Sequence, residues 1–97
     1  MFARVSTFSG DPSGIDGMAA QARDVVLPAA RDLSGFKGML VFGDRTAGKG
    51  VAVTFWESEQ AMRDSEEAAT RMRADAAAAG GEAIVGVERF EVLIDER

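Results

Sequence analysis

The stretch Gly43-Asp44-Arg45-Thr46-Ala47-Gly48-Lys49-Gly50 comes within one residue of a phosphate-binding loop. Its Gly-x-x-x-x-Gly-Lys pattern is complete, but Gly50 stands where a magnesium-binding Ser or Thr belongs. Such a loop must also open a helix whose first amides hold the phosphates. Here Val51-Ala52-Val53-Thr54-Phe55-Trp56 follows, a β-branched and aromatic run. The stretch is therefore expected to be a hairpin turn, with glycines taking positive φ. Trp56, the sole tryptophan, is the sharpest remaining residue. It either fills the core under a helix or forms a pocket wall that stacks on a planar ligand. Arg4 and Ser6 share a strand face with Phe2 and Phe8, and a polar pair between two phenylalanines is suited to line a cavity. The simpler account leaves that strand end partly solvated, or pairs Arg4 with Glu88 or Glu91 on a neighbouring strand. Met62 and Met72 read first as apolar filler. The candidate pocket set is Trp56, Arg4, Ser6, Phe8 and Met62.

What is missing narrows the chemistry further. There is no histidine and no cysteine, which removes the usual general base, the commonest metal ligand and any thiolate site. Tyrosine and asparagine are absent as well. No pair of carboxylates stands out by spacing as an acid/base couple, and neither a metal nor a cofactor is expected. Asp64, Glu66, Glu67, Arg71 and Arg73 read as a solvated helix face with pairs such as Glu67–Arg71. A net charge of −5 without a basic stripe argues against nucleic acid. The first residues lack a basic region followed by an apolar run, and no stretch approaches the ~20 apolar residues of a membrane span, so a cytoplasmic protein is expected.

These residues need elements to position them. Residues 2–8 read as a strand, and Gly10-Asp11-Pro12-Ser13-Gly14 as a break. Ser13 with Asp16 three residues on suggests a capping box. From there Ile15, Met18, Ala22, Val25 or Val26, Ala29 and Leu33 recur at helical spacing, with Pro28 predicting a kink or break. Residues 36–42 and 51–56 are two strands. Ser58 is the expected N-cap for a second helix ending at Gly80-Gly81, and residues 82–94 form a last strand. The result is one domain over residues 1–97 in the order β-α-β-β-α-β. This is the ferredoxin-like α+β arrangement, a four-stranded antiparallel sheet with two helices on one face.

Strands two and three are apolar on both faces: Val51, Val53 and Phe55 on one side, Ala52, Thr54 and Trp56 on the other. Two helices cover only one face, and a 97-residue chain has a marginal core. A second copy of the same sheet is the expected cover, making a homodimer.

The segments Ser34-Gly35-Phe36-Lys37-Gly38 and Val53-Thr54-Phe55-Trp56-Glu57-Ser58-Glu59-Gln60-Ala61 resemble the antibiotic-biosynthesis monooxygenase-like family of the dimeric α/β-barrel superfamily. The resemblance implies two subunits pairing their sheets into a barrel, with a pocket between sheet and helices in each. It implies, in some members, cofactor-independent oxidation of polycyclic aromatic polyketides or quinol-like substrates, which lean on Asn, Trp and Tyr; of these only Trp56 is present here. Other members degrade haem with an Asn, a Trp and a helix His. The His has no counterpart, and the first strand offers Ser6 or Arg4 for the Asn, which argues against haem chemistry. The reading is a homodimer with an apolar pocket per subunit, a monooxygenase-like protein for an aromatic small molecule. A ligand-binding protein without turnover, or a structural dimer with a filled pocket, stands as the alternative.

Overall fold

The computed structural model describes residues 1–97. Strand β1 (Phe2–Ser9) leads through a 3₁₀ turn (Pro12–Gly14) into α1 (Ile15–Gln21), a π-helical segment (Ala22–Val26) and α2 (Leu27–Arg31). Strands β2 (Phe36–Asp44) and β3 (Lys49–Trp56) form a hairpin. Helices α3 (Glu59–Asp64) and α4 (Glu66–Gly80) precede β4 (Ala83–Glu91). The sheet order is β2-β3-β1-β4 and every pairing is antiparallel. The fold is the ferredoxin-like α+β arrangement. No helix is long and apolar enough to cross a membrane.

Local chemistry explains most boundaries and corrects several. Asp11, not Ser13, starts the first helical stretch: its Oδ1 accepts the Ser13 amide at 2.9 Å and the Ser13 hydroxyl at 2.7 Å. Pro28 has no N–H to offer the Asp24 carbonyl. The helix answers by widening, and the Leu27 amide reaches five residues back to Ala22. Ser58 caps α3 as expected, accepting the Ala61 amide at 3.1 Å. Gly81, at φ 64°, closes α4, with the Gly81 amide on Ala78 and the Glu82 amide on Ala77. The last strand ends at Glu91 instead of running on to Ile94. Beyond it the Val92 amide bonds the Met1 carbonyl, and the 92–97 segment, no longer a strand, brings the Arg97 guanidinium to 4.7 Å from the Phe55 ring centroid.

The helices cross closely at one end. A Cβ on Gly14 would run into the Gly80 carbonyl, and one on Gly17 would stand 3.0 Å from that of Ala79, so glycine is what lets α1 and α4 touch there. A cleft of about 200 Å³ lies apart from this contact, among Leu33, Ser34, Ala61, Asp64 and Ser65. The sheet face without helices carries Val5, Leu40, Val51 and Val53, all half-buried, and Phe42 and Phe90, 54% and 50% exposed.

Candidate functional site

Strand register decides which side chains meet under the helices. Arg4 pairs with Thr54, Ser6 with Ala52 and Phe2 with Trp56, so these side chains project from one face of the sheet. From β2, Met39 and Val41 join them. The helix side contributes Met18, Ala22 and Ala30 from the first helical stretch and Ala69, Met72 and Ala76 from α4. So many alanines leave space: a cavity of about 70 Å³ lies between the two layers. That is room for several waters. Arg4, Ser6, Phe8 and Trp56 line it together, as does Arg73. Met62 does not; it is buried outside the lining.

Trp56 is 1% exposed and forms the cavity wall as well as core. Its indole N–H donates to Thr54 Oγ1 at 3.0 Å, and Phe36 meets its ring edge-on with centroids 5.5 Å apart. The Arg4 guanidinium stands 5.5 Å from its ring centroid. With the N–H occupied, a guest meets only the ring.

Arg4 corrects the expectation of a strand-to-strand pair with Glu88 or Glu91. It is 3% exposed and crosses to the helix layer, where Nη2 donates to Met62 O at 2.7 Å, Ser65 Oγ at 2.8 Å and Glu66 Oε1 at 2.9 Å. Ser65 Oγ itself donates to Met62 O at 2.7 Å. These bonds occupy the carbonyl at the end of α3, and the chain breaks its helix at Ser65 before α4 resumes.

Glu66 leaves the solvated face assigned to it. Arg89 grips both its oxygens at 2.7 Å while Arg4 holds Oε1. The Arg89 hydrogen bonds, seconded by Arg4, hold its carboxyl down to about 2 from an ordinary 4.5, against the opposing effect of burial. Arg73 also turns inward, with Nη1 3.5 Å from Ser6 Oγ and Nη2 3.4 Å from Thr70 Oγ1, and it makes no ion pair. Burial, then the nearby Arg4, pushes its pKa down. Glu67 and Arg71 keep the expected exposed pairing at 3.3 Å. Ala69 and Ala76, on the inner side of α4, are the sequence signal for the cavity, because alanines where a core helix wants leucines imply unfilled volume. Nothing local marked Arg73.

The Gly43–Gly50 stretch is a hairpin turn. Asp44 Oδ1 accepts the Thr46 and Ala47 amides, each at 3.0 Å, so the amides that would cradle a phosphate already hold a carboxylate. Gly48 takes the positive φ, at 69°. No group of three or more Asp and Glu side chains is placed to hold a metal ion.

No family model matches the chain. Its full length is 33% identical to the uncharacterised Mycobacterium tuberculosis protein Rv2558, and 73 of its residues are 36% identical to Rv2557 of the same organism. The chain spans 41% and 33% of those relatives' lengths. Among solved structures, a Deinococcus radiodurans protein assigned as an antibiotic biosynthesis monooxygenase is similar at TM-score 0.74 and 17% identity, covering 100% of this chain and 97% of its own. SnoaB, a cofactor-independent oxygenase from Streptomyces nogalater, is similar at TM-score 0.69 and 15% identity over 97% and 94% of the two chains. A Streptomyces coelicolor monooxygenase from the gene ActVA-Orf6, in complex with nanaomycin D, is similar at 0.68 and 19% over 98% and 92%. The chain has the fold of the antibiotic-biosynthesis monooxygenases.

Proposed function

We propose that the protein is a homodimer that binds a small aromatic molecule in the cavity beside Trp56 and oxidises it with O₂ without a cofactor. The observation that carries this is an alanine-walled, largely apolar space lined by the single tryptophan. The oxygenases of the same fold, SnoaB and the nanaomycin D-bound Streptomyces coelicolor enzyme, support the reaction class. In such a reaction the substrate supplies the electrons. A ring CH₂ becomes a carbonyl with one oxygen of O₂, and the other oxygen leaves as water with the two hydrogens. The protein's share is to orient the ring and to stabilise its anion. Trp56 provides the stacking surface, and the arginine end of the cavity provides positive charge. The apolar sheet face without helices, with Phe42 and Phe90 about half exposed, supports the dimer.

Trp56 emission tests the binding, since with no tyrosine present it reports one site. Anthrone-type phenols should quench it and be consumed with equimolar O₂, and quinols, which lack the ring CH₂, should quench it as binding probes. Trp56→Phe should keep the fold at a cost of about 1–2 kcal/mol in urea. Affinity should fall further than stability, through lost stacking area. If stability drops and binding does not, Trp56 is core alone. Binding without O₂ uptake is the second reading. It is favoured by the lining itself, which includes no carboxylate, tyrosine or histidine to take a proton.

A further inference from the structure

We infer that the cavity selects an anionic guest, a small aromatic carboxylate, and that Arg73 is the residue that holds its charge. This rests on the cavity being a binding site and names the chemistry of what it takes. Three guanidiniums, those of Arg4, Arg73 and Arg89, gather around a single carboxylate, Glu66. Glu66 is fully engaged: Arg89 takes both oxygens at 2.7 Å, and Arg4 takes Oε1 at 2.9 Å. Arg73 is left with two hydroxyls at 3.4 and 3.5 Å, both at the long limit of a hydrogen bond. It is half-buried in a largely apolar lining whose other polar members are Arg4, Ser6 and Thr54, and it is the arginine there with no ion pair.

A cation in that position stands where a negative charge would be stabilised most, because low dielectric strengthens the attraction. The planar guanidinium fork fits a carboxylate in two parallel hydrogen bonds. A dianionic phosphate asks for more donors than one free arginine offers. A phenol is neutral near pH 7 and would not answer the charge in its ground state. Because Trp56 has its N–H on Thr54, the ring of the guest lies against apolar surface and Arg73 fixes its orientation.

The test is a matched pair, benzoate and benzyl alcohol, titrated against Trp56 emission in the intact chain. Benzoate should bind about tenfold more tightly, as a charge-assisted pair outbids a neutral hydroxyl. In Arg73→Gln the two affinities should converge, while Arg73→Lys should retain part of the preference; unchanged urea midpoints would show that both variants are folded. Equal binding of acid and alcohol in the wild type would overturn the charge inference and leave the aromatic cavity standing. A benzoate preference that survives Arg73→Gln would overturn the role of Arg73. Silence of Trp56 toward both compounds would overturn this inference together with the binding reading beneath it.

Discussion

Glu82 holds the pair of buried side-chain oxygens that find no hydrogen-bond partner. It follows Gly81 at the end of α4, and the closing bond from its amide to Ala77 turns its side chain into the crevice between Gly10, Gly14 and Gly80. Neither oxygen meets a donor there. A buried charge without a partner is costly, whereas a neutral amide of the same shape costs less to bury. Glu82→Gln should therefore raise stability by about 1–2 kcal/mol, read as a higher urea midpoint; a lower midpoint would mean that the charge has a stabilising role. At this scale the sequence was legible in position and illegible in partnership. Strand alternation put Arg4, Ser6, Phe8 and Trp56 on one face, and they do line one cavity. It could not show that Arg4 reaches Glu66, 62 residues away, because no local pattern encodes that pairing.

At the scale of elements, the first three strands, the hairpin, the start at Ser58 and the stop at Gly80-Gly81 follow from β-branched runs, a cap and glycines and were readable, whereas the end of β4 at Glu91 was not. The break at Ser65 was not, because its cause lies on another element: Arg4 occupies the Met62 carbonyl from the sheet side. The π-helical turn before Pro28 was foreseeable as a disturbance but not in form. The arginine–Glu66 junction that clamps β1 and β4 to α4 has a pH signature. Its carboxyl titrates near 2 in the fold and near 4.5 when free, so the unfolded chain takes up the proton first as pH falls. The stabilisation is complete above about pH 4.5 and disappears as the pH drops to about 2. Urea midpoints measured through this window should fall more steeply for the wild type than for Glu66→Gln, which has no carboxylate to protonate. Parallel curves would remove Glu66 from the acid response.

For the whole molecule, a sheet with one helix-covered face leaves Phe42, Phe90 and three half-buried valines facing outward. A second copy that covers them should give about twice 10.3 kDa at sedimentation equilibrium at micromolar concentration. By mass action, the thermal midpoint should rise with protein concentration. A monomer whose midpoint ignores concentration would refute the homodimer. The glycine contact between α1 and α4 carries a consequence for how the helix layer yields. Backbone touches backbone at Gly14 and Gly80, and Arg4 and Arg89 tie the start of α4 to the sheet at Glu66, so both ends of α4 are fastened. A guest bulkier than the resting space is then met by rearrangement of the flexible Met18 and Met72 side chains that line the cavity, with α4 itself staying in place.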